Sequence, residues 1–227
     1  MPDQNHYENT KSFFDASALH NQGYYDGAPG KLKHNPWQKM IRRIVVKQFQ
    51  RLFQCDKTLR TMVDIGCGNG DFCFELRRRF SHLTEICGCD FSHDMLDVMR
   101  KHLSYGDAIS AQPADLLALP FSDGRFDLSL CLNTLHHIHA DDLSLAIAEL
   151  ARVARQYVIV EIKNRNNFYK KYLRPQPFDE IKVYPVAPKK IIELFHTNGY
   201  KLIDQKNIFF RQFFSPLIVQ IYRKIKS

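Results

Sequence analysis

The segment Val63-Asp64-Ile65-Gly66-Cys67-Gly68-Asn69-Gly70 constrains this chain more than any other. An apolar run enters three glycines at alternate positions, and a helical pattern over Asp71–Phe80 follows. Glycine takes positive φ without a Cβ clash and lets a ligand approach bare backbone. The start of the following helix offers unpaired N–H groups to that ligand. Strand, glycine turn and helix in this order predict an open α/β sheet. In such sheets ligands bind at the carboxyl ends of the strands, near the point where strand order reverses.

Glycine spacing narrows the ligand. A dinucleotide fingerprint reads G-x-G-x-x-G. Here the spacing is G-x-G-x-G, position 71 is Asp, and no Walker A lysine follows. An acid in this turn repels a pyrophosphate and suits a cationic ligand without phosphate.

The rest of the pattern agrees with alternating strands and helices. Met62–Ile65, Glu85–Cys89, Ile109–Pro113, Phe126–Leu132 and Tyr157–Ile162 read as strands. Ser92 caps a helix carrying Met95, Leu96, Met99 and Leu103, and Asp141 or Asp142 caps another through Arg155. Asn35-Pro36 opens an earlier helix with apolar residues at helical spacing from Trp37 to Phe53. Residues 1–34 read as irregular, with aromatics at Tyr7, Phe13, Phe14, Tyr24 and Tyr25. After a helix over Pro188–Thr197, Tyr200–Phe210 and Pro216–Lys224 lie close in sequence, which predicts an antiparallel edge hairpin. The chain is expected to be one domain: an N-terminal lid and helix over 1–56, a ligand-binding core over 57–165, and a C-terminal helix and hairpin over 166–227.

Composition bounds the class. Apolar residues are 44% and charged residues 25% of the 227, as in globular proteins, which excludes disordered and low-complexity classes. The apolar runs are far shorter than a bilayer requires. The polar start MPDQNHYENT lacks a signal-peptide pattern. The six cysteines form no C-x-x-C pair and several lie in strand-like runs. Reduced core thiols and a soluble, cytoplasmic protein are therefore expected. Charge is distributed unevenly: +5 over residues 1–60, −7 over 61–161 and +10 over 162–227, which sum to +8. The basic flanks suit an anionic substrate, a nucleic acid or a membrane surface, or are simply solvated.

Two further acids sit where a nucleoside would need them. Asp90 ends the second strand, 24 positions after Gly66, where a carboxylate accepts from both ribose hydroxyls. Asp115, in Ala114-Asp115-Leu116, can accept from an exocyclic adenine amine.

VDIGCGNG, the acid in GCDFS, ADLLALPF and FDLSLCLNTLHHI together resemble the class I S-adenosylmethionine-dependent methyltransferases, within them the broad quinone-biosynthesis-like group. The likeness covers about residues 60–165. It implies a Rossmann-like doubly wound seven-stranded sheet in order 3-2-1-4-5-7-6, with strand 7 antiparallel. It also implies S-adenosyl-L-methionine as cofactor. By the family pattern Asp64 fixes the turn, and Gly66, Cys67, Gly68, Asn69 and Gly70 form the methionine and ribose side. Asp90 binds the ribose, Phe91 packs on adenine, Asp115 and Leu116 hold the adenine edge, and Asn133 adjoins the methionine part. The chain departs from the family before strand five. Arg152-Val153-Ala154-Arg155-Gln156-Tyr157 replaces the usual proline-glycine-glycine turn.

Methyl transfer needs a positioned nucleophile, and a base only where that nucleophile must lose a proton. His137 and His136, after strand four, are the candidate bases; either could instead cap the next helix. Adjacent His136, His137 and His139 do not make a metal set. Glu161, ending strand five, can face the substrate or pair with a lysine, and Asn164, Arg165 and Asn166 follow it where substrate contacts occur. The expected activity is methyl transfer to a small-molecule or lipid-like acceptor. The basic, aromatic stretch from Ile208 to Phe214 suits such an acceptor or a membrane surface. The alternatives are an RNA (tRNA) methyltransferase using the basic flanks, and a non-catalytic S-adenosylmethionine-binding protein.

Overall fold

The computed structural model describes residues 4–19, 36–104, 106–166, 183–208 and 215–225. At its centre β1 (Thr61–Ile65) pairs in parallel with β2 (Glu85–Asp90) on one side and β4 (Phe126–Cys131) on the other. β3 (Ile109–Pro113) extends the first side, in parallel with β2. On the other side β5 (Ala154–Lys163) pairs in parallel with β4, and β7 (Leu217–Lys224) lies antiparallel between β5 and β6 (Tyr200–Asn207). The sheet order is β3-β2-β1-β4-β5-β7-β6, as the resemblance implied. Strand order reverses beside β1, so a crevice opens at the carboxyl ends of β1 and β4.

Side chains two apart on a strand share a face, which sorts the core into two layers. Val63 and Ile65 of β1 pack with Ile147 and Leu150 of α5 (Leu143–Val153) and with Ile191 and Phe195 of α6 (Pro188–Thr197). Met62, on the opposite face, packs with Phe49 of α2 (Pro36–Cys55), Leu76 of α3 (Asp71–Arg79) and Leu96 of α4 (His93–Arg100). Helices thus cover both faces of a sheet whose inner strands β1 and β4 are buried almost throughout.

At the amino ends of the strands, away from the crevice, buried Asp127 acts as a clasp. One carboxylate oxygen accepts the main-chain N–H groups of Arg60 (2.8 Å) and Thr61 (3.0 Å) at the start of β1. The other pairs with the Arg155 guanidinium at the start of β5.

Three expectations are corrected. Residues 1–34 are not irregular throughout, because Gln4–Leu19 forms a helix, α1. Its inward positions Tyr7, Thr10 and Phe14 have helical spacing but mixed polarity, which hides the period. The helix expected through Arg155 ends at Val153, and β5 starts at once with Ala154 rather than at Tyr157. Here the side chain of Tyr200 meets the junction of α5 and β5. Its one hydroxyl proton is shared between the carbonyls of Ala154 (2.6 Å) and Ala151 (3.2 Å), so a distant side chain meets the helix end where no loop follows. β6 ends at Asn207 rather than Phe210. The Asn35 cap, Tyr24, Tyr25 and Phe209–Phe214 lie outside the described residues.

Candidate functional site

The crevice is a cleft of about 1230 Å³, counted out to open solvent, at the carboxyl ends of β1, β2, β4 and β5. Its floor is the glycine turn. Gly66, Gly68 and Gly70 all have positive φ, 75°, 56° and 76°. They do different work. A Cβ on Gly66 would fall 2.1 Å from Thr134 Oγ1, and one on Gly70 would fall 2.6 Å from Met99, so these two let β4's loop and α4 approach the turn. A Cβ on Gly68 would meet nothing within 4 Å, so Gly68 leaves bare backbone facing the cleft.

Asp90 holds this floor from the end of β2. Its Oδ2 accepts the Gly68 N–H at 2.8 Å and its Oδ1 accepts that of Ser92 at 2.9 Å. Each oxygen keeps a lone pair for a ligand. Burial raises the Asp90 pKa, and the N–H groups of Ser92, Gly68 and Phe91 oppose that rise. Asp64, on β1, is pushed up to about 6 by burial, against the Cys73 thiol that donates to it at 3.4 Å and the nearby Arg42. Phe91, exposed Asp115 and buried Leu116 line the side below β2 and β3.

The opposite side is formed by Leu132, Asn133, Thr134, His137, Ile138 and Glu161. Asn133 has φ 53°, the only positive value on a non-glycine among the described residues. Such strain clusters at functional sites. Its main-chain N–H donates to the Glu161 carboxylate. Glu161, 4% exposed, is pushed up to about 7 by burial, with Lys163 and the Asn133 N–H opposing. His137 is pushed down to about 4 by burial, then by Lys163 and His6, so its ring is neutral near pH 7. Its Nδ1 is buried and has no hydrogen-bond partner among the described residues.

α1 closes the top. His6 Nε2 hydrogen-bonds the His137 carbonyl at 2.8 Å. The Tyr7 hydroxyl donates to Asp142 (2.8 Å) and accepts the His139 N–H (3.1 Å). Ser92, which caps α4, donates its hydroxyl to Asp15 at 2.5 Å. Phe14 meets Phe91 and His137 edge-on, with ring centres 6.2 and 5.4 Å away. The N-terminal helix therefore spans from the β2 side to the β4 side.

Of the residues singled out in the sequence, Asp64, Gly66, Cys67, Gly68, Asp90, Phe91, Asp115, Leu116, Asn133, Glu161 and His137 line the cleft. Asn69, Gly70 and His136 do not. Asn69 turns its Oδ1 back to the Asp71 N–H at 3.3 Å, Gly70 backs onto Met99, and His136 is 3% exposed in the interior. The two imidazoles lie against each other, with ring centres 4.1 Å apart, but only His137 reaches the cleft wall. Asp71 is also off the cleft wall; Asp64 and Asp90 supply the negative charge that the sequence reading gave to it. Arg42 of α2 had no sequence signal, because it arrives through distant packing, whereas Phe14 of α1 was marked only as one of the N-terminal aromatics. The wall thus carries four carboxyl groups (Asp64, Asp90, Asp115, Glu161) and one described guanidinium (Arg42). That balance favours a cationic ligand over a phosphate.

The methyltransferase-domain family matches residues 62–157, the stretch from β1 to β5. The 2-phytyl-1,4-naphtoquinone methyltransferase of Nostoc punctiforme is 30% identical over 124 residues, 53% of this chain and 53% of its own length. The malonyl-[acyl-carrier protein] O-methyltransferase of Erwinia billingiae is 42% identical over 92 residues, 40% of this chain and 34% of its own. The chain thus spans about half or less of the length of these two curated relatives. The magnesium protoporphyrin IX methyltransferase of Synechocystis PCC 6803, solved with bound SAH, superposes with a TM-score of 0.72 at 19% identity, covering 95% of this chain and 98% of that one. That likeness is one of fold.

Proposed function

We propose that this chain, whose residues 62–157 match the methyltransferase-domain family, is a class I S-adenosylmethionine-dependent methyltransferase that moves a methyl group from S-adenosylmethionine to a small-molecule acceptor. The observation that carries this is the acid-lined cleft built on the bare Gly68 backbone, with buried Asp90 holding it. The cofactor supplies a methyl already made electrophilic by its sulfonium. The chain's own work is to hold, orient and exclude water. Asp90 accepts from the ribose hydroxyls through its free lone pairs. Phe91 stacks on the adenine, and Asp115 and Leu116 meet its edge. Gly66 and Gly68 admit the ribose and methionine portions. Arg42 is placed to pair with the methionine carboxylate, and the left-handed turn at Asn133 shapes the reacting end. α1 serves as the lid, and it excludes water once its bonds to both sides form.

A small acceptor is favoured over RNA by the same wall. Four carboxyl groups against one guanidinium oppose a polyanion at the reacting end. The intact cradle argues for turnover rather than binding alone.

The test is calorimetry with S-adenosylmethionine. The wild type binds. Asp90→Asn, which keeps the shape but loses the charge, binds ~10- to 100-fold more weakly, the loss expected for charge-assisted hydrogen bonds. Equal affinity in the two proteins would refute this assignment of Asp90, and no binding to the wild type would refute the function.

A further inference from the structure

With the nucleoside between Asp90, Phe91 and Asp115, the acceptor must enter from the other side, between the ends of β4 and β5 and the inner face of α1. The wall there is Phe14, Leu132, His137, Ile138 and Glu161. Phe14, Leu132 and Ile138 make its apolar and aromatic surface, Thr10, Asn133 and Thr134 lie among them as uncharged polar groups, and Glu161 and His137, with Tyr7 at the top, are its titratable ones. Glu161 is held in place by its acceptance of the Asn133 N–H, at the one strained non-glycine turn described. A buried carboxyl group without a described ion pair is costly, and such groups persist where they act.

Resting on the methyl-transfer reading above, we propose that Glu161 is the catalytic proton acceptor and that the acceptor is a neutral aromatic hydroxyl compound. The hydroxyl's O–H bond breaks toward the Glu161 carboxylate. The oxygen lone pair forms the new O–C bond, the C–S bond breaks, and its electron pair stays on sulfur as a neutral thioether. Glu161 ends protonated and passes its proton to solvent as products leave.

His137 is the poorer base. Burial holds its ring neutral down to about pH 4, so it takes up a proton only weakly. Its partnerless Nδ1 is instead placed to hydrogen-bond the acceptor hydroxyl. Glu161, pushed up to about 7, is matched to work near neutrality. The groups that bear on it are Lys163, the Asn133 N–H and the Cys131 thiol, which burial keeps protonated, and His137 lines the same cleft. A bound sulfonium adds a positive charge and draws Glu161 toward its carboxylate form. The same negative charge repels an acceptor that is itself a carboxylate, so phenols and hydroquinones are selected over carboxylic acids.

Two variants of the full chain, Glu161→Gln and Glu161→Asp, test this. First, the affinities for S-adenosylmethionine and for S-adenosylhomocysteine, which lacks the sulfonium charge, are compared from about pH 5.5 to 8.5. In the wild type the ratio of the two rises with pH by roughly tenfold. In Glu161→Gln that rise is lost or much reduced, leaving the share due to Asp64 and Asp90. Second, transfer from labelled cofactor is measured to a phenol, a naphthohydroquinone and an aliphatic monocarboxylate. The wild type methylates a hydroxylated ring. Glu161→Gln loses ~100-fold or more in kcat together with the acid limb of the pH profile, and Glu161→Asp recovers part of the rate. Turnover in Glu161→Gln within a few-fold of wild type, with its pH profile unchanged, overturns the role of Glu161. A wild type that binds cofactor yet methylates only the carboxylate, or none of the three, overturns the acceptor class. Failure of the wild type to bind cofactor is a separate outcome and removes the methyl-transfer reading itself.

Discussion

At the scale of single residues, the glycine turn separates two demands that look alike in sequence. Gly66 is needed for space, since an added Cβ would strike Thr134, whereas Gly68 is needed for access. Gly66→Ala combines left-handed strain with overpacking, ~1–3 kcal/mol each, and should lower Tm by ~5–15 °C. Gly68→Ala carries the strain alone, so its Tm falls less while its cofactor affinity falls more. Thermal scans beside calorimetry check the crossover; a larger Tm loss in Gly68→Ala would contradict it. The turn and its acids were legible because their chemistry is local in the chain. Asp64, Gly66, Gly68, Asp90 and Asp115 need no knowledge of tertiary contacts to be suspected. The histidine pair was legible only as a pair, because the facing of adjacent residues depends on a three-residue 3₁₀ turn. Arg42 left no trace, being an ordinary residue brought to the cleft by packing.

Among the elements, the inner strands and their helices were readable from apolar periodicity, and the edge hairpin from its short connection. Two elements were misread for physical reasons. α5 passes into β5 without a turn, because Tyr200, some 46 positions beyond Ala154, supplies the hydrogen bonds a local motif would have given. α1 was missed because its inner face mixes Tyr7, Thr10 and Phe14 with His6 and carries no continuous apolar stripe. That polarity suits the proposed lid, since its described hold consists of hydrogen bonds from His6, Tyr7 and Asp15 and ring contacts of His6 and Phe14. Hydrogen exchange should show the α1 amides slowed by S-adenosylhomocysteine while the β1 and β4 amides hardly change. A chain lacking residues 1–19 should still fold, with its far-ultraviolet spectrum little altered, but bind cofactor ~10-fold or more weakly. Unchanged affinity in that truncation would remove the lid role.

For the whole molecule, the buried ionisable groups of the cleft set how stability follows pH. Glu161 and Asp64 have raised pKa values in the fold, about 7 and about 6, against ordinary values of 4.5 and 3.8. Their contribution is full below those ordinary values and is lost as pH rises through 6 and 7. His137 runs the other way, lowered to about 4 from 6.5. Its contribution is full above 6.5 and lost as pH falls toward 4. The Glu161→Gln variant should therefore be more stable than wild type at pH 8, by ~3 kcal/mol at most, with the gain shrinking toward pH 5. Urea unfolding at both pH values, without cofactor, reads this directly; a gain that is equal at both would mean that folding leaves the Glu161 pKa unshifted. Such a variant would trade catalysis for stability, as strained sites commonly do. The Asp127 clasp stands at the other pole of the sheet. It fastens β1, β4 and β5 where no ligand reaches, through Arg60, Thr61 and Arg155. A scaffold bolted at its foot leaves its rim free to vary. New acceptor preferences can then be sought by randomising the loop from Thr134 to His139, with the frame below left intact.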